Sequence, residues 1–130
     1  MIDYIDRAAD WLEAAGHHVS KRPLDAYTGK EGVVLLSLPQ RNTYCYMDGT
    51  ERCDLIVHVV VRRRGEYEAM SECHELAQLL TGAVLESANG SYRADQGGAR
   101  IESHPARVPL DEDQVSTWEA LVAVPVTKEQ

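Results

Sequence analysis

Cys45, Cys53 and Cys73 are the three cysteines of this 130-residue chain, and five histidines accompany them. With His74 beside Cys73 and His58 between the first and third, these residue types could hold a zinc ion or supply a thiolate nucleophile. The spacing supports neither. Structural zinc sites draw their ligands from closely spaced pairs on turns, and no such pair occurs among these cysteines. A cysteine nucleophile needs a base and an orienting group aimed at it, whereas adjacent residues on a helix point about 100 degrees apart, so His74 cannot serve Cys73. The glycine pair in "DQGG" fits neither the P-loop nor the dinucleotide spacing. The 21 acidic residues are dispersed with no acid and base pair among them. The expectation is a protein without catalytic residues, metal or cofactor. A small Cys/His metal-binding or thiol enzyme using Cys45, Cys53 and Cys73 stays open as the alternative from a different class.

The elements that would position these residues are legible from periodicity. Ile2, Ile5, Ala9 and Leu12, widened by Tyr4, Ala8 and Trp11, form one apolar stripe of a helix that Gly16 ends. His17 and His18 follow that end, where histidines interact favourably with the helix dipole and its last carbonyls. Residues 20–30 are polar and read as a connection. "GVVLLSLP" is a short strand bounded by Gly32 and Pro39. "TYCYM" resumes extended character, Asp48-Gly49 marks a hairpin turn, and residues 52–62 return as the partner strand. In that strand Cys53, Leu55, Val57, Val59 and Val61 share a continuous apolar face; Asp54, Ile56, His58, Val60 and Arg62 make the other face mixed. A three-residue loop would set Cys45 opposite Cys53, both under the helix that carries Cys73, so all three cysteines read as small buried hydrophobes.

From Glu66 the period changes to that of a helix, through Ala69, Met70, Cys73, Leu76, Ala77, Leu80 and Val84, with Glu66 and Glu68 in its favourable first turn. Asn89-Gly90 closes a connection. "SYRA" and "ARIESH" around "DQGG" suggest a second, exposed hairpin, and "RVPLDEDQ" a polar loop. In "VSTWEALVAVPV" a final strand places Trp118, Ala120, Val122, Val124 and Val126 on one face, with Pro125 expected at a sheet edge or past its last ladder bond. The order predicts a single α+β domain over residues 1–130, a mostly antiparallel sheet with helices packed on one face.

Charge narrows the function classes. A formal net charge of -8 opposes general attraction to a phosphate backbone. No apolar run approaches the roughly 20 residues needed to span a bilayer. The N-terminus carries acids among its apolar residues and lacks the pattern of a secretory signal; with an odd number of cysteines, reduced thiols in the cytosol are expected. Against this acidic background Arg62, Arg63 and Arg64 stand together at a strand end. Such a triplet is either a solvated terminus or a positive patch that meets an acidic surface on a neighbour, which a head-to-tail ring of copies would use.

The stretch "LSLPQRNTYCYMDGTERCDLIVHVVVRRRGEYEAMSECHELAQLL" resembles the bacteriophage minor capsid or tail-completion proteins of siphophage-type head and tail modules, a family similar to the tail terminators. The features that carry the likeness are Leu38-Pro39 at a strand end, the turn of Tyr46, Asp48 and Gly49, a long strand ending at Arg62, Glu68-Ala69 in the following helix, and a closing strand from Trp118. The resemblance implies an assembly role in the virion, built up in the bacterial cytoplasm. Six copies would close a ring that caps the tail tube and offers a surface to the head connector. For such an assembly the expected contact residues are Tyr46, Asp48, Gly49, His58, Arg62, Arg63, Arg64, Arg93 and Arg100, and the resemblance implies further copies, the tail tube protein and head connector proteins as partners. Another connector or neck completion protein is the rival within the same class. The chain departs from the pattern in its cysteines, its long "SYRADQGGARIESH" segment and its arginine triplet.

Overall fold

The computed structural model describes residues 2–20, 31–94, 97–112 and 115–128, and of 109–112 the backbone alone. Helix α1 spans Tyr4–Ala14. Its buried residues, Tyr4, Ala8, Ala9 and Leu12, centre the stripe on Ala8, and Ile2 and Ile5 lie at its margin. Trp11 is exposed and donates its indole N–H to the carbonyl of Leu79 at 3.0 Å. Gly16, at φ +98°, ends the helix: its amide bonds Glu13 O and the amide of His17 bonds Leu12 O, the paired closure that a left-handed residue permits.

Strand β1, Gly32–Cys45, runs antiparallel to β2, Glu51–Arg63. The apolar and the aromatic stretches expected as separate strands are one strand, broken in register between Leu38 and Arg41 and again between Arg41 and Tyr44. Each break adds one residue to β1, and Asn42 takes a positive φ of 55° there. The strand passes through Pro39 because β1 lies at the sheet edge. Val33 and Leu35 turn their backbone groups outward, toward Ser20, so by alternation Pro39 lacks only an outward donor.

Helix α2, Glu66–Leu80, buries Ala69, Cys73, Leu76, Ala77 and Leu80. It stops before Val84, which is exposed, because Thr81 bridges Ala99 and Gly82, at φ +76°, donates to Ala99 O at 2.7 Å, taking the chain to the sheet. Strands β3, Arg93–Ala94, and β4, Arg100–Glu112, do not pair as a hairpin. Both pair antiparallel with β5, Val115–Lys128. Residues 107–112, expected as a loop, continue β4, with Pro105 and Pro109 each falling in a register break. The sheet order is β1-β2-β5-β3, with β4 also on β5. This makes β5 central and corrects the expected position of Pro125. It pairs with Asp54 on one side and, on the other, falls between the Ala94↔Val126 and Arg100↔Ala123 pairs, where the ladder is interrupted. The expected connection beyond Ser20 lies outside the described residues, as do Asp95 and Gln96 of "DQGG" and Asp113 and Gln114 of "RVPLDEDQ".

The architecture is α+β, with both helices on one face of the antiparallel sheet. That face carries the main core: the odd residues Cys53 to Val61 of β2, the even residues from Ala120 to Val126 of β5, and Val33 and Leu35 of β1, under α1 and α2. The reverse face is mixed. Val34 and Val60 form a small cluster with Leu36, and His58 and Glu119 stand beside them.

Candidate protein-interaction surfaces

The expected contact residues separate into three regions. Tyr46, Asp48 and Gly49 sit at the tip of the β1–β2 arm, beyond the helices. There the Asp48 carboxylate accepts from Thr50 N at 3.0 Å and Thr50 Oγ1 at 2.7 Å, bonds that hold it below the usual carboxylate range. Gly49 takes φ +90° and donates to Tyr46 O. The rings of Tyr44 and Tyr46 meet edge to face with centroids 4.9 Å apart, and both are exposed together with Met47. The tip therefore presents a pre-organised apolar surface to solvent.

Cys45 is exposed on this arm, opposite Glu51 rather than Cys53. The physical reason is register: five residues, 46–50, separate the paired Cys45 and Glu51, and the arm has by then passed the helices that cover the core. Cys53 and Cys73 are buried as expected. Burial pushes the Cys73 thiol up to about 12, and it raises that of Cys53 as well. These are the opposite of an activated thiolate. Among the described residues no three Cys, His, Asp or Glu side chains gather in a way that could hold a metal ion.

On the reverse face, His58 Nε2 lies 2.7 Å from Glu119 Oε2. Arg100 Nη2 donates to Asp54 Oδ2 at 2.8 Å, and Asn42 Nδ2 donates to the same oxygen at 2.7 Å. Burial alone would raise the Asp54 carboxyl, but these bonds and the nearby arginine charges hold it low. Arg93, in β3, pairs with Thr127 and is exposed.

The arginine triplet does not form one surface. Arg62 is 2% exposed, on the reverse face opposite Thr117. Arg63 reaches back to α2, with Nε 2.8 Å from Glu72 Oε1 and Nη2 3.3 Å from Oε2. Arg64 alone is exposed, its amide donating to Glu31 Oε1 at 2.9 Å. Alternation along β2 separates Arg62 from Arg63, and the turn into α2 redirects Arg64.

Sequence reasoning missed two features. Asp3 ties α1 to the segment after α2: its carboxylate accepts from Ser87 Oγ at 2.7 Å, Ala88 N at 2.8 Å and Ser91 Oγ at 3.1 Å. Beside it, a groove of about 820 Å³ runs between the first turn of α1 and the outer edge of β1, floored by Leu35, Leu55 and Val57. The partial exposure of Ile2 and Ile5 at this groove has no signature in helical spacing, which marks them simply as apolar.

No family model matches the chain, and no curated protein does. Among solved structures, the chain is similar to one chain of the "Virion of native gene transfer agent (GTA) particle", with 17% identity and a TM-score of 0.55. The match covers 92% of this chain and 84% of that one, so the two share a fold over nearly their whole length.

Proposed function

We propose that this protein is a non-enzymatic assembly component of a phage-type virion, a tail-terminator-like subunit. Its copies close into a ring that caps the tail tube and receives the head connector, and it is assembled in the bacterial cytoplasm. The observation that carries this reading is the fold shared with a virion chain over 92% of the sequence. The likeness of the Leu36 to Leu80 region to tail-completion proteins supports the same role. An exposed apolar arm at Tyr44, Tyr46 and Met47 also suits a subunit that is completed by its neighbours.

Native mass spectrometry over a concentration series, followed by polymerisation of the cognate tube protein in its presence, tests the reading. A metal-free closed oligomer together with tubes that stop growing is the expected result. Tubes of unchanged length with no bound protein would remove the terminator role, and binding to the connector alone would move the chain to the neck.

A further inference from the structure

The groove beside α1 and the tip of the β1–β2 arm are two apolar features that no described residue covers, and they lie at different points along one arm. The groove is lined by Ile2 and Ile5 of α1, by Leu35 and Leu38 of β1, and by Leu55 and Val57 beneath. Its volume of about 820 Å³ makes it a cleft that side chains can enter rather than a flat patch. Small-molecule sites of that size carry a few convergent polar groups that fix a ligand. Asp3, Asp6, Ser37, Gln40 and Asn89 edge the cleft, but its floor is apolar and the Asp3 carboxylate is already engaged by Ser87, Ala88 and Ser91, which favours an apolar occupant.

The outer edge of β1 bounds the same cleft. Ser20 takes up the backbone groups of Val33 and Leu35, and among the described residues nothing pairs with this edge beyond Leu35. By strand alternation Ser37 turns its N–H and C=O outward into this stretch, where an added strand would bind. An edge that no described residue covers, next to an apolar cleft, is a ready template for a further strand.

We propose that the arm tip of one copy, with Tyr44, Tyr46 and Met47, occupies the groove beside α1 of the next copy, its strand running along the Ser37 edge. The proposal rests on the self-association reading above and names its contact. The tip lies beyond its own groove along the arm: up to about 20 Å of strand separates Leu38 from Tyr44 at strand rise, and Tyr46 and Met47 stand past the end of β1. Donor and acceptor surfaces on different parts of the chain make the contact head-to-tail, the kind that closes into rings. The Tyr44–Tyr46 contact fixes the tip before docking, which lowers the ordering cost of binding.

The chain carries its own probe, because Cys45 is exposed between the two tyrosines while Cys53 and Cys73 are buried. In a Ser37→Cys variant, a short bismaleimide should join Cys45 of one copy to residue 37 of the next, giving a ladder of covalent multimers that disappears in Ser37→Cys/Cys45→Ala. Tyr46→Ser/Met47→Ser should weaken association at least tenfold with an unchanged melting temperature, both positions being exposed. A closed oligomer without Cys45-dependent linking would overturn the tip-in-groove contact and leave the ring intact. A monomer at every concentration, with no linking, would overturn the contact and the self-associating ring together.

Discussion

Arg63 and Glu72 form a two-pronged ion pair across the junction of β2 and α2, at 2.8 and 3.3 Å. Glu72 also lies 3.4 Å from His17 Nδ1, so one carboxylate joins the strand end, the second helix and the segment leaving the first. Glu75 stands 3.4 Å from the other ring nitrogen. Both members of the pair are largely shielded, with side-chain exposures of 29% and 19%. Glu72→Gln should cost about 1–2 kcal/mol, the scale of a partly screened charge-assisted hydrogen bond. Urea denaturation checks it: the midpoint falls while the slope holds. In a double-mutant cycle with Arg63→Gln, full additivity would show that the contact carries no coupling.

Gly98 is held against the backbone that ends α2. It sits at φ +70°, and a Cβ there would stand 2.7 Å from Gly82 C and O. Gly98→Ala should therefore destabilise by more than about 1 kcal/mol, since strain and backbone overlap act together. At Gly97 an added Cβ meets nothing within 4 Å, so Gly97→Ala serves as the control. Equal melting temperatures for the two variants would show that the Gly82–Ala99 junction yields easily.

How much of this was legible depended on the range of the interaction. The 3.6-residue spacing from Ala69 to Leu80 and the alternation from Cys53 to Val61 are local, and both reappear as buried faces. The Asp48-Gly49 turn is local too. Register in the arm is not: a turn of five residues, 46–50, sets Cys45 against Glu51 rather than Cys53, and the two breaks between Leu38 and Tyr44 have no sequence signal beyond Pro39 and Asn42. Segments on either side of "DQGG" look like a hairpin because a turn lies between them, but each finds its partner in β5, 32 to 34 positions away for Arg93 and Ala94 and 18 to 23 for Arg100 to Ser103. Parity put Arg62 on the reverse face, yet its burial depends on packing that parity does not describe. The groove arises from the placement of α1 against β1, a contact between elements joined by a long connection.

Burial sorts the cysteines by reactivity. Cys45 is exposed, whereas Cys53 and Cys73 lie in the core, Cys73 with its thiol pushed up to about 12. Because the thiolate is the reactive form, iodoacetamide at pH 8 should label one cysteine per native chain and three after denaturation. Peptide mapping identifies the site. Rapid native labelling of Cys73 would mean that α2 opens far more readily than its packing implies.

Acid should loosen the fold through Asp3 and Asp54. Burial works to raise both carboxyls, but the bonds from Ser87, Ala88 and Ser91 to Asp3, and from Asn42 and Arg100 to Asp54, leave each below its ordinary 3.8. A carboxyl depressed in the folded state stabilises it above the unfolded value, and that contribution is lost as pH falls through the folded value. Stability should hold from pH 7 to about 5 and decline below about 4. Asp3→Asn should be less stable than the parent at pH 7, with the gap narrowing toward pH 3. A gap that stays constant between those two pH values would remove Asp3 from the acid response.

Charge reversal separates the assembly role of the arginines from their structural one. Arg63→Glu places a carboxylate against Glu72 and near Glu31 and Glu68, which already act on Arg63, so it should lower the melting temperature whatever it does to assembly. Arg64 has an exposed side chain, and its backbone amide, which the substitution keeps, makes the bond to Glu31. Arg64→Glu is thus the clean probe of a basic contact: its melting temperature should match the parent's while self-association or docking weakens severalfold, most at low salt, because exposed charges are screened. Sedimentation velocity at two ionic strengths reads both effects. Association unchanged at low salt would leave Arg64 a solvated strand end and shift the weight of assembly to the apolar arm.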